Sequence, residues 1–415
     1  MRRPNLSTLS PKTSGSESSL LHPTSAMSRS QTRDLWGVSP WKIGFTPPKY
    51  PLPSSVDFAV VGAGFAGLAA AAWLRILAPK KSVVILEGGR IGNGASGRTG
   101  GLVLSESAAG DLPGLGDVLA GLKKVLRKLG VESDLLLPGV WEIAHSDGAE
   151  RSDNARPLKG RSPIQWRDFD SREIRVTGKV PGGTLDPGKQ VSGLARAVVS
   201  LGAVIAENCG VRKIEWTDPP TLHLSGGSLR AKKVLLATNA LSLEISGLGK
   251  SAIQPKLTLA ARTAPMSEKD LKKIGLGARK PFYTIDFPYL WGRVCADRSV
   301  VWGAGLVDSP NSGELEDVDV SKGRAAEMFA SFEKRVHALH PALAKARFTH
   351  KWGGPIAFRE NFRPVFAHHP QSKDGIVLGV FAGHGVALSV YLGAWAAEAL
   401  AGRRPLPSWG RIGSK

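Results

Sequence analysis

Three glycines near the start of the chain have the spacing of a turn that can hold phosphate groups. Gly62, Gly64 and Gly67 form a G-x-G-x-x-G pattern, which follows the apolar residues 58–61 and precedes a run of helix formers, 68–78. The first glycine allows a tight turn, the second lets the backbone approach a pyrophosphate, and the third lets the helix pack closely on the strand. The helix N-terminus would then direct free N–H groups and a partial positive charge at the phosphates.

An acidic residue follows this pattern at the distance that a nucleotide ribose requires. Glu87 ends a second apolar run, 82–86, about 20 residues beyond the last glycine. Its carboxylate can accept hydrogen bonds from both hydroxyls of an adenosine ribose, and its charge disfavours a 2′-phosphate of the NADP type. The strand, helix and acid together predict dinucleotide binding without saying which dinucleotide, and a glycine-rich turn in an ordinary α/β core is the alternative.

A second glycine-rich segment, 88–101, follows Glu87 directly. It contains too much glycine for a regular helix or strand, so its backbone must approach something closely or adopt positive φ angles. We interpret it as a loop that lies against the dinucleotide, with Arg98 and Thr99 facing the ligand. A flexible surface loop is the alternative interpretation.

Two kinds of β-structure are expected further along the chain. The segments 203–207 and 231–240, the second of which ends in small residues, are predicted to be strands that would extend the parallel sheet begun near residue 58. The segment 251–348 contains many aromatic residues and alternating patterns, which predict a mainly antiparallel sheet. Within it, alternation over 289–294 places Tyr289, Trp291 and Arg293 on one strand face.

The apolar stretch 376–401 is long enough to cross a membrane. It is interrupted by Gly383-His384-Gly385 and carries Glu398 near its end. A strand, a turn and a buried helix explain this pattern better, so we expect no transmembrane segment.

Composition narrows the class of protein. A length of 415 residues favours two domains. The formal net charge is +20, but the basic residues are dispersed and no nucleic-acid motif is present, so we expect a solvated surface that at most steers an anionic substrate. Two cysteines exclude a disulfide framework, provide no metal-ligand spacing and favour a reducing, cytoplasmic compartment.

Four segments, taken in order, resemble the FAD-dependent amine and amino-acid oxidase superfamily, which includes D-amino-acid oxidase, sarcosine and glycine oxidases and γ-glutamylputrescine oxidase. They are 61–67 with Glu87, 94–101, 234–240 and 381–386. The resemblance covers about 56–403. It implies an α/β fold, with a discontinuous FAD-binding, Rossmann-like domain and an α+β substrate domain whose sheet is mainly antiparallel.

The resemblance also implies where FAD is held. The pyrophosphate, the adenosine and the two ends of the flavin would contact, in chain order, Gly62, Ala63, Gly64, Ala66, Gly67, Glu87, Ser96, Arg98, Thr99, Gly100, Val211, Gly383, His384, Gly385 and Val386. For His384, a turn residue without flavin contact is the alternative. No cysteine occurs over 353–358, where some sarcosine oxidases tether FAD, so non-covalent FAD is expected.

The implied reaction is oxidation of the C–N bond of an amine or amino acid to an imine, with hydride transfer to flavin N5. A substrate carboxylate would need an arginine clamp, for which Arg293 is the first candidate, with Tyr289 as its helper; a strand-edge surface residue is the alternative for Arg293. The oxygen-activating lysine of sarcosine oxidases has no counterpart in 299–302, so either O₂ or a quinone or electron-transfer partner is expected as acceptor.

The expected domain boundaries follow from these segments. Residues 1–34 form a disordered extension that resembles a transit peptide in part, and 35–55 form an arm. The alternative is that translation starts at Met27 and residues 1–26 are not translated. The FAD-binding domain comprises 56–104, 186–248 and 350–403, the substrate domain 105–185 and 249–349, and the tail 404–415. Two rival functions stay open, an NAD-dependent dehydrogenase and a non-catalytic flavin-binding subunit.

Overall fold

Five parallel strands form the centre of the first of two large sheets. The computed structural model describes residues 35–145, 152, 154–248, 252–308 and 315–412, so the expected extension 1–34 lies outside the described residues. The strands of the first sheet are β1 (Ser55–Val61), β2 (Val83–Leu86), β9 (Val204–Ala206), β10 (Val211–Glu215), β11 (Thr221–Leu224), β12 (Gly227–Leu236), β18 (Val365–His369) and β19 (Ser372–Gly379).

The parallel part of this sheet has the order β9-β2-β1-β12-β19. β18 pairs antiparallel to β19, and β10, β11 and the start of β12 form an antiparallel meander. The apolar runs that predicted buried strands therefore lie side by side. All residues of β2 are buried, as expected for a parallel strand covered on both faces.

Helices cover one face of the first sheet. The helices are α1 (Phe65–Leu77), α2 (Val118–Lys128), α3 (Pro187–Ser200), α4 (Glu268–Lys273), α5 (Gly323–Ala338) and α6 (Gly385–Leu400). α1, α2, α3 and α6 share one apolar core with this sheet. α6 approaches α1 closely because position 393 is glycine, where a Cβ would lie 2.5 Å from the carbonyl oxygen of Ala66.

The apolar stretch near the C-terminus has the predicted form of a strand, a turn and a buried helix, namely β19, residues 380–384 and α6. Among the helices that the structure describes, none combines the length and the apolar character needed to cross a bilayer.

The second sheet has nine strands and is antiparallel except for the pair β4 and β14, which confirms the predicted mainly antiparallel sheet. Its strands are β4 (Val140–His145), β5 (Arg156–Pro157), β6 (Gln165–Arg167), β7 (Glu173–Val180), β13 (Gln254–Thr263), β14 (Phe282–Thr284), β15 (Trp291–Val294), β16 (Val300–Asp308) and β17 (Phe348–Phe358). Their order is β17-β13-β16-β15-β14-β4-β7-β5, with β6 beside β7. A short ribbon, β3 (Leu102–Leu104) with β8 (Gly182–Thr184), stands apart.

The two faces of this sheet have different neighbours. On one face Trp166, Phe282 and Trp302 form an aromatic cluster with ring centroids 5.0–5.5 Å apart, and it belongs to the same apolar core as the buried side of α5. On the other face Trp291 and Arg293 lie against residues 100 and 101. The second sheet therefore presents one face to the glycine-rich loop that follows Glu87.

Three placements differ from the sequence-based expectation. Strand β15 begins at Trp291, so Tyr289 does not share a strand face with Arg293; the backbone before the strand is held instead by Arg335 of α5, which bonds the carbonyls of Pro288 and Tyr289. Helix α2, expected in the substrate domain, packs with α6 in the core of the first sheet. Strand β17, most of which was expected in the FAD-binding domain, pairs with β13 in the second sheet.

Candidate functional site

A crevice lies at the carboxyl end of the parallel strands, where open α/β sheets bind ligands. It encloses about 830 Å³, including its open mouth. Its walls are the turn after β1, the segments 86–89 and 93–96, and the residues that follow β12 (237–242), together with Val211 at the start of β10. The segments that predicted dinucleotide binding thus surround one cavity.

The turn after β1 has a conformation that requires glycine. Gly62 has φ of +103°, and a Cβ there would lie 2.8 Å from the carbonyl oxygen of Ala237. At Gly67 a Cβ would lie 2.0 Å from the carbonyl oxygen of Gly62, so this glycine allows α1 to pack on the turn. Two of the three glycines are therefore required by close backbone contacts.

The N-terminus of α1 faces the crevice and has an unusual cap. The N-cap residue is Gly64, which has no side chain to offer, and Ser96 of the glycine-rich loop accepts a hydrogen bond from the Phe65 N–H at 2.9 Å instead. A Cβ on Gly64 would lie 2.9 Å from the Ser96 hydroxyl oxygen. The loop is thereby tied to the helix end at which an anion would bind.

Glu87 is held in position by backbone donors from two segments. One carboxylate oxygen accepts from the Ala63 N–H and the other from the Gly89 N–H, both at 2.8 Å. Each carboxylate oxygen has further acceptor capacity. Because Glu87 lines the crevice, it is placed to accept the hydroxyls of a ribose.

The predicted cofactor residues separate into two groups. Gly62, Gly64, Glu87, Ser96 and Val211 line the crevice. The others lie outside this lining: Ala63, Ala66, Gly67, Arg98, Thr99, Gly100, Gly383, His384, Gly385 and Val386.

Arg98 does not direct its guanidinium at the crevice. The side chain is buried, and its Nη1 donates to the carbonyls of Gly37 and Gly353, both at 2.9 Å, and of Trp36 at 3.3 Å. The arm that precedes β1 and strand β17 are thus joined through Arg98. These bonds of Arg98 hold the loop backbone in place, and its predicted contact with the dinucleotide stays a prediction.

The backbone of residues 98–101, here called the flavin loop, is fixed by three tryptophans, and two of them, Trp41 and Trp352, are not among the predicted site residues. The indole N–H of Trp352 donates to the Arg98 carbonyl at 2.7 Å, and that of Trp41 donates to the Thr99 carbonyl at 2.8 Å. Gly100 lies under the ring of Trp291, where a Cβ would be 2.1 Å from the ring. The flavin loop therefore joins the crevice to the second sheet.

Arg293 lies beside this loop and is buried, which overturns the alternative of a surface residue. Its Nη1 donates to the carbonyl of Leu185 at 2.7 Å, and its guanidinium lies over the Trp41 ring at 4.9 Å. The Nε–H is buried without a hydrogen-bond partner in the described part of the chain. Burial lowers the pKa of Arg293. A buried cation with a free donor is suited to an incoming carboxylate.

Tyr289, the expected helper, is 41% exposed. Its carbonyl accepts from Arg335, and the described structure shows no bond between its side chain and Arg293.

The turn between β19 and α6 is strained. Val380 has φ of +60° and Ala382 of +48°, values that branched or substituted residues rarely adopt, and Gly383 follows with +89°. The Val380 N–H donates to the side chain of Asn239 at 2.8 Å, which holds the turn beside the end of β12. The turn leads directly into the N-terminus of α6.

His384 is the residue immediately before α6. Its Nδ1 lies 3.4 Å from the Ala382 carbonyl, and burial lowers its pKa, so the imidazole is neutral at physiological pH. Gly383 next to it is exposed. The helix end that follows can therefore stabilise a neighbouring negative charge without a cationic histidine.

Comparison with known proteins places this geometry among flavoenzymes. The chain is 26% identical over 377 residues to γ-glutamylputrescine oxidoreductase of Escherichia coli (83% of this chain, 84% of the relative) and 24% identical over 395 residues to a probable oxidoreductase OrdL of Rhizobium meliloti (86% and 85%).

Solved structures with the same fold include glycine oxidase from Geobacillus kaustophilus, with a TM-score of 0.65, 17% identity and coverage of 88% of this chain and 100% of that one. L-amino acid deaminase from Proteus myxofaciens gives a TM-score of 0.66 at 16% identity, with 88% and 94% covered. The model of the FAD dependent oxidoreductase family matches residues 57–399, and the chain belongs to that family.

Proposed function

We propose that the protein holds FAD non-covalently and oxidises the C–N bond of an amine or an amino acid to an imine. The observation that carries this proposal is the course of the flavin loop. The chain leaves the nucleotide crevice at Ser96, two residues before this loop, and the loop then runs under a sheet face that bears Trp291 and the buried Arg293. A cofactor that follows the loop out of the crevice would reach a wall able to hold a substrate.

The residues of the crevice fit the adenosine and pyrophosphate of FAD. Glu87 would accept the ribose hydroxyls, Val211 would contact the adenine, and the N-terminus of α1 would hold the pyrophosphate. When bound, FAD supplies the acceptor for the hydride that leaves the substrate carbon. The N-terminus of α6, after His384, would stabilise negative charge at the pyrimidine end of the ring.

The residues that face the substrate would favour the uncharged form of its amine. The reacting nitrogen must lose a proton to leave the lone pair that becomes the imine bond, and water later adds to the imine. An apolar wall around Trp291 and Tyr283 lowers the pKa of an ammonium by desolvation and so favours the neutral amine. Arg293 would orient a substrate carboxylate through its free Nε–H.

Non-covalent attachment is supported by the position of the cysteines. Cys209 is half-buried, Cys295 is buried, and neither lies in β17. We expect acid precipitation of the holoenzyme to release all flavin into the supernatant. Both thiols are free, which also agrees with the proposed cytoplasmic location.

The test of the proposed function uses purified protein under anaerobic conditions. We expect a flavin absorption spectrum that is bleached by members of a panel of amines and amino acids, and restored by O₂ or by a quinone. A colourless protein that cannot be reconstituted with FAD would contradict the proposal. A stable flavin spectrum that no amine bleaches would favour the non-catalytic subunit instead.

A further inference from the structure

A buried acidic residue lies on the same sheet face as the flavin loop and has no role so far. The strand register pairs Glu142 of β4 with Tyr283 of β14, and Tyr283 with Trp291 of β15. Since directly paired residues point to one face, the three side chains follow one another across the sheet. Trp291 contacts Gly100 of the flavin loop. Glu142 lies two strands away from Trp291, a separation of about 10 Å between the strands.

Only one of the two carboxylate oxygens of Glu142 is occupied. The side chain is fully buried. Its Oε1 accepts from the hydroxyls of Tyr283, at 2.8 Å, and of Ser152. Its Oε2 is buried and has no partner, and no lysine, arginine or histidine of the described residues forms an ion pair with it. A carboxylate buried in this way is costly unless a cation joins it.

The surroundings of Glu142 add further acceptors. Glu106 is also buried and accepts from the amide of Asn154 at 2.7 Å, while the amide oxygen of Asn154 has no partner. Burial, and then the charge of Glu142, raise the pKa of Tyr283, so its hydroxyl keeps its proton and donates to Glu142. This part of a strongly basic protein is therefore locally negative and rich in acceptors.

The neighbouring strand carries a glycine at the position beside the free oxygen, so no side chain of that residue stands between them. Gly178 of β7 pairs with Glu142, and a Cβ there would lie 3.2 Å from Oε2. Toward the flavin loop, Tyr283 and Trp291 belong to one small apolar cluster. Aromatic rings of this kind accommodate methylene chains and attract cations.

We propose that Glu142 and Tyr283 form a subsite for a second cationic group of the substrate, an ammonium separated by an aliphatic chain from the nitrogen that is oxidised. Diamines and basic amino acids have this chemistry. The ammonium would donate to Oε2 of Glu142, while Tyr283 holds Oε1. This inference rests on the proposed function and specifies its substrate class.

The test compares substrates that differ only in the second charge: putrescine with butylamine, and lysine with norleucine. Anaerobic flavin bleaching and calorimetric titration are measured for the wild type and for Glu142→Gln. We expect the dicationic compounds to bind the wild type about 10- to 100-fold more tightly than their partners, as a charge-assisted hydrogen bond predicts. Glu142→Gln should lose this difference and leave the monoamines unchanged.

Two further variants keep the test decisive if Glu142→Gln folds poorly. Gly178→Ala narrows the space beside Oε2 and should weaken putrescine binding while butylamine binding is kept. Glu173→Gln removes an exposed carboxylate of β7 that pairs with Arg175, and should change neither.

The outcomes separate this inference from the proposed function. Equal binding of both members of each pair by the wild type would overturn the subsite, whether or not the flavin is bleached. Bleaching by monoamines as readily as by diamines would leave the proposed function intact and remove only the subsite. If calorimetry shows that putrescine binds in a way that depends on Glu142, but no compound bleaches the flavin, the subsite is supported and the proposed oxidation is contradicted.

Discussion

Arg293 is a buried cation beside the flavin loop, and its Nε–H has no partner among the described residues. If it clamps a substrate carboxylate, Arg293→Met should lower kcat/KM for amino acids by about 10- to 100-fold, since a hydrogen bond to a charged group contributes about 1.5–3 kcal/mol. The kcat/KM value for a simple amine of the same chain length should change little. The measurement is the ratio of kcat/KM values for the amino acid and the amine.

Arg175→Met is the control for this prediction, because Arg175 is exposed and forms a surface ion pair with Glu173. Loss of the amine and amino-acid activities to the same extent in Arg293→Met would contradict the clamp. It would indicate that Arg293 only supports the flavin loop through Leu185 and Trp41.

The bonding partners of Arg98 could not be predicted from the sequence pattern around it. Its position in a glycine-rich loop after Glu87 suggested a ligand contact. Its acceptors lie 61 and 255 residues away in the chain, at Gly37 and Gly353. A local motif carries no information about such partners. The glycine positions could be predicted because the contact of Gly62 with Gly67 lies within one turn and its helix.

Among the elements, α1 depends on a cap from outside its own sequence. Ser96 accepts the Phe65 N–H at the N-cap glycine, so Ser96→Ala leaves this donor at the helix N-terminus without its partner. We expect a loss of about 1 kcal/mol in the free energy of unfolding of the apoprotein. FAD binding should weaken as well, because the loop is no longer tied to the phosphate-binding end.

Ser200→Ala is the matched control for Ser96→Ala, since the Ser200 hydroxyl donates to the Ala197 carbonyl within the last turn of α3 and does not cap a helix N-terminus. Urea unfolding and flavin fluorescence titration measure the two effects. An unchanged free energy of unfolding in Ser96→Ala would show that the hydroxyl does not cap α1.

Helix α5 is anchored to the second sheet by a buried ion pair. Arg335 donates to both carboxylate oxygens of Asp168, at 2.9 and 2.6 Å, and His145 lies 3.0 Å from the same carboxylate. Burial alone would raise the pKa of Asp168, but the hydrogen bonds and charge of Arg335 lower it overall. A lowered pKa stabilises the folded protein above the unfolded value, near 3.9, and this contribution is lost as the pH falls below it.

We therefore expect Asp168→Asn to lose about 3–5 kcal/mol in the free energy of unfolding at pH 7, because Arg335 stays buried without a counter-charge. The difference from the wild type should shrink as the pH falls below about 4, the unfolded-state value, toward the lowered pKa of the folded state. Urea unfolding across this range measures it. Asp170→Asn, at an exposed pair with Arg172, is the control. A constant difference at all pH values would contradict the assignment of this pH dependence to Asp168.

The order of the strands and helices could be predicted from the sequence. The residue at which a strand begins and the burial of a single charged side chain could not. Alternation over 289–294 could not reveal that β15 begins only at Trp291, because Arg335, more than 40 positions further on, holds the preceding carbonyls. Glu142 stands alone among apolar residues of β4, where a single acid suggests an exposed position. Its burial results from Tyr283 and Ser152, which the sequence does not place beside it.

Across the whole molecule, the two sheets meet at the flavin loop. Trp352 of the second sheet donates to the Arg98 carbonyl, while Ser96, two residues earlier, caps α1 of the first. The nucleotide crevice could be predicted from spacing because it arises within one strand–helix–strand unit. The wall beside it could not, because it is built from strands whose pairing depends on contacts distant in sequence.

This arrangement predicts that FAD stabilises the protein through the junction of the sheets. At a free concentration of 100 times Kd, FAD should add about 2.7 kcal/mol to the free energy of unfolding. Trp352→Phe leaves the Arg98 carbonyl without its indole donor, so we expect roughly tenfold weaker FAD binding and an increment of about 1.4 kcal/mol at the same FAD concentration.

Trp302→Phe is a closely matched control for Trp352→Phe. Trp302 is equally buried, belongs to the same sheet, points to the opposite face and has no partner for its indole N–H. Both substitutions should lower the stability of the apoprotein, but only Trp352→Phe should reduce the increment that FAD adds in thermal unfolding. Equal increments in the two variants would mean that FAD binding does not depend on how the second sheet holds the loop, and the substrate wall would then have to form independently of the cofactor.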